Sequence, residues 1–360
     1  KNILNRNLIF LISISFSSAL GAQNLVPTVI VSKQDQTGPL ESFSTAKVEK
    51  ISKEKFDRPD RQTLADLVKD QVGIDTQVYC SNCGAKRLSI NGLKAEHTSI
   101  LIDGLPLHSA VSSFYGVDSV PVNGISDIEV MRGSGASLTN PEAIGGTLNL
   151  VTVNPLERKQ IYTTSFSSND YATQSAQNHS FLVSLPSESK KMGLSFGGQF
   201  SENKAWDEDD NGVAESPRRQ NQSALIKARI LPSKNNDISV RFSYSELEIL
   251  GGATNASRPN KVREVPASES DFENQSVEEQ YIGDPNKITD WIDLERFESS
   301  LHWMHYLGQD MTIEWNSGFA RQKQRAIYQH GFDYANNDNT FVSDLSLQWL
   351  AKKNHLIKTG

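Results

Sequence analysis

The chain has 360 residues, enough for two domains, with 8% aromatic and 22% charged residues, an ordinary balance for a folded protein. Its 36 Lys+Arg against 43 Asp+Glu leave a net charge of −7, so no basic face advertises nucleic acid. Two cysteines, Cys80 and Cys83, are too few for a small disulfide scaffold.

Chain order begins with Lys1 and Arg6, then the apolar run Leu8 to Phe16, then small residues ending at Ala22. About ten apolar residues cannot cross ~30 Å of hydrocarbon as a helix, which needs about twenty. Basic, apolar, then small residues is the pattern of an export signal cut after Ala22, so residues 1–22 are expected to be removed. With no initiator Met, the sequence is expected to be incomplete at its front. No later segment is apolar enough for a membrane helix, which leaves a secreted or periplasmic protein, or an outer-membrane one crossing as a barrel.

Residues 23–47 are polar and extended, with one β-branched run, Thr28, Val29, Ile30 and Val31, after Pro27. Such a run either pairs with a partner's sheet edge or opens the next domain as its first strand. Residues 48–155 are expected to form one α/β domain. Leu64, Leu67 and Val68 fall at helical spacing with Thr63 as cap. Short β stretches follow at 74–79, 87–90, 99–102, 125–131 and 147–153, punctuated by Gly and Asn turns.

From residue 156 onward, and clearly from Gln160, polar and apolar residues alternate in segments such as 180–185, 193–200, 237–244, 299–306, 311–319 and 340–349. A dyad repeat with aromatics near strand ends is the signature of antiparallel transmembrane β-barrel strands. Short polar turns at 186–190, 232–236, 307–310 and 351–354 alternate with long connections at about 205–219 and 251–290. Barrels keep short turns on the periplasmic side and long loops outside, so the alternation also sets orientation. A soluble sandwich is the competing reading. About eight strands precede a new one starting near Lys358; a closed eight-stranded barrel fills its interior with side chains and could not house a hundred-residue domain, so the barrel is expected to be incomplete in this chain.

Five ordered blocks carry a family resemblance: Gln62 to Leu67 with Gln71 to Asp75, Arg87 to Gly92, Ser99 to Pro106, Ile125 to Gly133, and Glu142 to Thr152. Together they closely resemble the plug domain of TonB-dependent outer-membrane receptors. The departures are Asn91 where the family usually has Arg, Ser134 where Pro is common, and Thr139-Asn140 where Tyr-Gly often sits. The resemblance implies a plug inside a barrel of 22 strands, and transport in place of catalysis. It implies import of a scarce metal chelate (ferric siderophore, haem or cobalamin), with a free copper or zinc ion as the alternative and a non-transport barrel as a remote one. On this reading Thr28 to Val31 is the TonB box, pulled by TonB with ExbB/ExbD in the periplasm. Outer-membrane lipid and the small chelate are the other partners, and no nucleic acid is involved.

The resemblance also places candidate residues. Tyr79, Cys80, Ser81, Asn82 and Cys83 fall in one outward plug loop, and His108, Ser109, Phe114 and Tyr115 in another. Arg87, Glu129 and Arg132 fall where family plugs form ion pairs with the barrel wall. Cys80 and Cys83 either form a disulfide, as oxidising compartments favour, or capture a soft metal, perhaps with His108. Asp207, Asp209 and Asn211 followed by Gly212 have calcium-loop spacing, with Glu215 at the ninth position, but Arg218 stands where a closing acid belongs; a solvated acidic loop is the bland reading. No cofactor is required, calcium being the one candidate ion, and no Ser/His/Asp or paired-carboxylate arrangement stands out.

Overall fold

A computed structural model of the chain describes residues 48–53, 63–80, 83–107, 115, 117–120, 122–133, 143–168, 175–208, 213–252, 289–308, 310–328, 332–351 and 355–359. The proposed signal segment and the Thr28–Val31 run lie outside the described residues.

The first unit is built on a five-stranded sheet of β1 (Val48–Ser52), β6 (Ile125–Arg132), β7 (Gly146–Thr152), β4 (Thr98–Ile102) and β5 (Leu105–Pro106), in that spatial order. β4 and β7 run parallel and the remaining neighbours antiparallel. The helix expected behind Thr63 is α1 (Leu64–Val68), closed by a capping box in which Thr63 and Asp66 satisfy each other's backbone amides. It buries Leu64, Leu67 and Val68 against Ile128, Val130, Leu148 and Leu150, all between 0 and 4% exposed, so the helix is held by packing far more than by its own length. β2 (Ile74–Cys80) and β3 (Ala85–Ile90) form a separate hairpin. β1 and β5 escape a reading of periodicity: Val48-Glu-Lys-Ile-Ser52 buries only Val48 and Ile51, and β5 has two residues.

The second unit is one antiparallel sheet of nine strands in chain order: β8 (Lys159–Ser168), β9 (Ser175–Pro186), β10 (Met192–Asn203), β11 (Arg218–Ser233), β12 (Asn236–Gly252), β13 (Thr289–Leu307), β14 (Met311–Tyr328), β15 (Phe332–Ala351) and β16 (His355–Thr359). Eight strands precede β16, as the alternation predicts. The sheet is open, with β8 and β16 as its edges among the described residues.

Period-two alternation separates the two faces. On β12, Asp237, Arg241 and Ser243 turn inward, while Phe242 and Tyr244 are 47% and 42% exposed on the outer face. Outward aromatics collect at two levels. Register aligns Tyr162, Phe181, Tyr244 and Phe297 near one end, and Trp303, Trp315 and Trp349 lie toward the other. Two aromatic levels bounding an apolar band are what a lipid-facing barrel wall requires. The chain hands over from plug to barrel at Pro155, so close to β10 that a Cβ on Gly193 would fall 2.1 Å from the Pro155 carbonyl oxygen.

Candidate functional site: the interface of plug and barrel wall

Asp103 sits in the Asp-Gly turn between β4 and β5, at φ +49, in the left-handed region that Asp tolerates better than most residues. Its carboxylate accepts from Thr152 twice, from the backbone N–H at 2.9 Å and from Oγ1 at 2.6 Å. From the barrel wall, Lys227 Nζ on β11 approaches to 3.3 Å and Arg241 Nε on β12 to 3.5 Å, the latter at ion-pair range without hydrogen-bond geometry. Arg241 also donates to Glu298 at 2.9 Å, and Arg296 donates to Glu298 at 2.6 Å, to Gln322 at 3.0 Å and to the plug's Leu107 carbonyl. Three cations thus alternate with two carboxylates across the seam. Arg241, Arg296 and Glu298 side chains are 4–9% exposed, so little solvent screens them. Burial alone would raise the Asp103 carboxyl; the Lys227 and Arg241 cations and the Thr152 hydrogen bonds outweigh it and hold the group below its ordinary value.

Further contacts stitch the seam. Asn123 donates to the Phe181 and Gly198 carbonyls at 3.0 and 2.8 Å. Arg229 donates to Asn154 at 3.0 Å while clasped by Asp237. The Leu105 side chain lies where a Cβ on Gly318 would meet it at 2.8 Å.

At the outward end, Cys80 and Cys83 are joined in a disulfide with their Cα atoms 5.4 Å apart. The thiols that metal capture needs are therefore spent in the bond, and no described group of three or more His, Cys, Asp or Glu could hold a metal. Cys83, Ala85 and Tyr115 pack on Leu247, Ile249, Ile292, Leu294 and Ala326 of the wall. Arg219 donates to the Gly84 carbonyl at 3.3 Å. Gly84 is required here twice over, by φ +67 and by Pro217 Cγ, 2.9 Å from where a Cβ would be. Tyr115 Oη lies 3.1 Å from Tyr328 Oη, and burial raises its phenol further above the ordinary range, so the pair stays neutral. Tyr79 is half-exposed beneath the Arg87 guanidinium, 5.1 Å above its ring. Ser81, Asn82, His108, Ser109 and Phe114 lie outside the described residues. Replacing both cysteines by Ser removes a closure of four residues, about 2 kcal/mol in the chain-entropy account. Amide exchange at Gly84 and Ala85 should quicken while β6 and β7 keep their protection. Affinity for free copper or zinc should not change; its loss would restore the metal reading.

Of the expected ion-pair residues, Arg132 needs correction. Arg132 is held inside the plug by Glu49 at 3.1 Å, the Val72 carbonyl at 2.7 Å and Asn91 Oδ1 at 3.3 Å. Asn91 offers Arg132 an acceptor where a second cation would repel it, which turns Arg132 toward its own domain. Glu129, 2% exposed in β6, accepts from Asn149 at 2.8 Å, and Asn149 Oδ1 in turn accepts the Gly104 amide at 2.8 Å. Glu129 and Asn149 thereby support the turn that carries Asp103, and Arg87 sits over the hairpin's own Tyr79. Asp103 makes plug-to-wall ion pairs, with Lys227 and Arg241. Lys227, Arg241 and Glu298 had a sequence signal: charges at inward positions of strands whose outward positions are apolar.

In the acidic loop, Glu215 accepts the Glu208 backbone amide at 2.6 Å, Asp207 is half-buried, and Asp209 and Asn211 lie outside the described residues.

An α/β unit packed through buried charge against an antiparallel wall with an apolar outer band has the architecture of a plug lodged in a barrel wall. The family model of the TonB-dependent Receptor Plug Domain matches residues 41–147. Over those residues of the first unit the chain resembles the plug of the TonB-dependent receptors. It is 31% identical over 108 residues to the vitamin B12 transporter BtuB of Photobacterium profundum, covering 30% of this chain and 18% of the relative. It is 28% identical over 218 residues to the ferric enterobactin receptor PirA of Pseudomonas aeruginosa, covering 52% of this chain and 28% of the relative. The chain thus spans less than a third of either relative. Among solved structures, a mutant of the ferric enterobactin receptor PfeA of Pseudomonas aeruginosa superposes with TM-score 0.65 at 15% identity, over 87% of this chain and 48% of that one. The copper transporter OprC superposes with TM-score 0.52 at 13% identity, over 91% and 54%. Both superpositions speak for the fold alone.

Proposed function

We propose that the chain is the leading part of an active importer of a metal chelate, a ferric siderophore first, with haem and cobalamin behind it. The observation that carries this reading is the seam itself: buried, alternately charged contacts close the plug against the wall, so a bulky solute passes only when work is done on the plug. The relatives named for enterobactin and vitamin B12 support chelates as the cargo class. TonB, energised through ExbB and ExbD, supplies that work through the tail at Thr28 to Val31; several main-chain hydrogen bonds in an added strand would share the load. Ligand on the outward face shifts the population of states in which the tail is offered.

The deciding experiment measures binding and uptake of three radiolabelled cargoes, a ferric catecholate, haem and cobalamin, by cells carrying the complete receptor, with and without a protonophore. One cargo should bind saturably, and its uptake should collapse when the proton gradient does. Uptake that survives the protonophore would sink energy-coupled import. A second reading, import of a free copper ion, has the cysteine pair in its favour and requires that the disulfide first be opened by a reductant. Copper uptake that depends on added thiol and on both cysteines would favour it.

A further inference from the structure

The outward aromatic level has a gap. Register carries one row across the outer face from Tyr162 through Phe181, Gly198, Ala224 and Tyr244 to Phe297. Four of the six are aromatic, and the two in the middle are the smallest residues available. Between the ring of Phe181 and that of Tyr244 the wall is therefore recessed into an open hollow of about 740 Å³. Phe181 leans into the space that Gly198 frees: a Cβ there would fall 2.7 Å from its ring. The next row toward the long loops carries Thr164, His179 and Gln222, with Phe200 between the last two; Thr164 Oγ1 and His179 Nδ1 are 3.4 Å apart, the His179 ring stacks on Phe200, and Gln222 donates to Glu246. The row below is apolar again, with Phe196, Ile226 and Phe242.

We infer that this recess is a fixed seat for one acyl chain of an outer-leaflet lipid, with His179 and Gln222 meeting the polar linkage that joins chain to headgroup. Three observations converge on that occupant. The recess is continuous with the apolar band that faces the bilayer, so hydrocarbon is what surrounds it. It lies at the level where that band gives way to polar side chains on the long-loop side, which places it in the outer leaflet. Its floor is apolar, and its upper rim sets the hydrogen-bonding groups of His179 and Gln222 on either side of Phe200, the order in which a lipid presents its chain and its linkage. Elsewhere in this row aromatic rings occupy the interface themselves. Here the chain of a lipid takes the place of the missing ring, and lining atoms that would otherwise lack partners gain dispersion contacts.

The test uses the complete receptor in bilayers of phosphatidylethanolamine and lipid A, extracted in mild detergent and weighed intact by native mass spectrometry. Ala224→Phe closes the gap from its floor. Ala228→Phe makes the same change two pleat periods lower, on the same face of β11 but outside the recess. The wild type and Ala228→Phe should both carry a retained lipid A that Ala224→Phe loses, with folding of all three checked by their heat-modifiable mobility. Equal retention by wild type and Ala224→Phe overturns the proposal. Retention of phosphatidylethanolamine in preference to lipid A overturns the assignment to the outer leaflet. A wild-type dimer that Ala224→Phe dissociates overturns it in favour of a second protein copy.

Discussion

Asp103→Asn should loosen the plug by about 3 kcal/mol, the usual cost of leaving a buried cation without its counter-charge. Asn tolerates the left-handed backbone at this position, so the substitution reads the charge and not the turn. Lys227 loses the most, because its placed partners are Asp103 and Thr152 alone; Arg241 keeps Glu298. Amides of β4 and β5 should exchange about a hundredfold faster, following the open population. Adding Lys227→Met should recover part of the loss, since the stranded cation is then gone. Exchange unchanged across residues 98–106 would show that the network does not hold the plug. The pH dependence has a definite sign. A carboxyl held below its reference value of 3.8 stabilises the folded state fully above that pH, and the contribution fades as pH falls toward the depressed folded value. The seam should therefore be indifferent to pH near neutrality and weaken only in strong acid.

Deleting Thr28 to Val31 should abolish uptake while ligand binding stays at the wild-type level. The reasoning joins two ends of the molecule. The wall contacts of Asp103, Leu107 and Cys83 keep the plug seated whether or not the tail exists, so the outward binding surface should be unaffected. The work that breaks those contacts has to enter through a segment a partner can grip. A β-branched run in a polar stretch is the one such handle the sequence offers ahead of β1. Binding and uptake measured on the same cells separate the two roles. Undiminished uptake by the deletion would refute coupling through this tail, and binding lost together with uptake would mean that the segment belongs to the plug instead.

The two predictions differ in how much of their basis is visible before folding. Local rules carried the elements whose signals are local. Thr63 capped its helix because Ser and Thr oxygens satisfy first-turn amides. The strand pairs from β8 to β15 followed from alternation, because a wall between lipid and lumen forces a period of two. β1 was invisible because a five-residue edge strand with two buried positions has no periodicity to read. Cys80 and Cys83 favoured a disulfide but left metal capture open, since both chemistries want the same spacing.

Alternation was enough for the antiparallel wall, and five ordered blocks for the likeness of the first unit to a plug domain, because each follows from chemistry between chain neighbours. The seam was beyond their reach. Asp103 meets Lys227 across 124 residues and Arg241 across a further strand, and Arg296 finds the Leu107 carbonyl across 189. Which buried charge faces which depends on the angle at which the plug lies against the wall, and no spacing along the chain encodes that angle. For the same reason Arg132, placed at the wall by resemblance, turns inward: its ion-pair partner Glu49 and its hydrogen-bond partners belong to the plug, and three-dimensional distance sets the strength of the attraction.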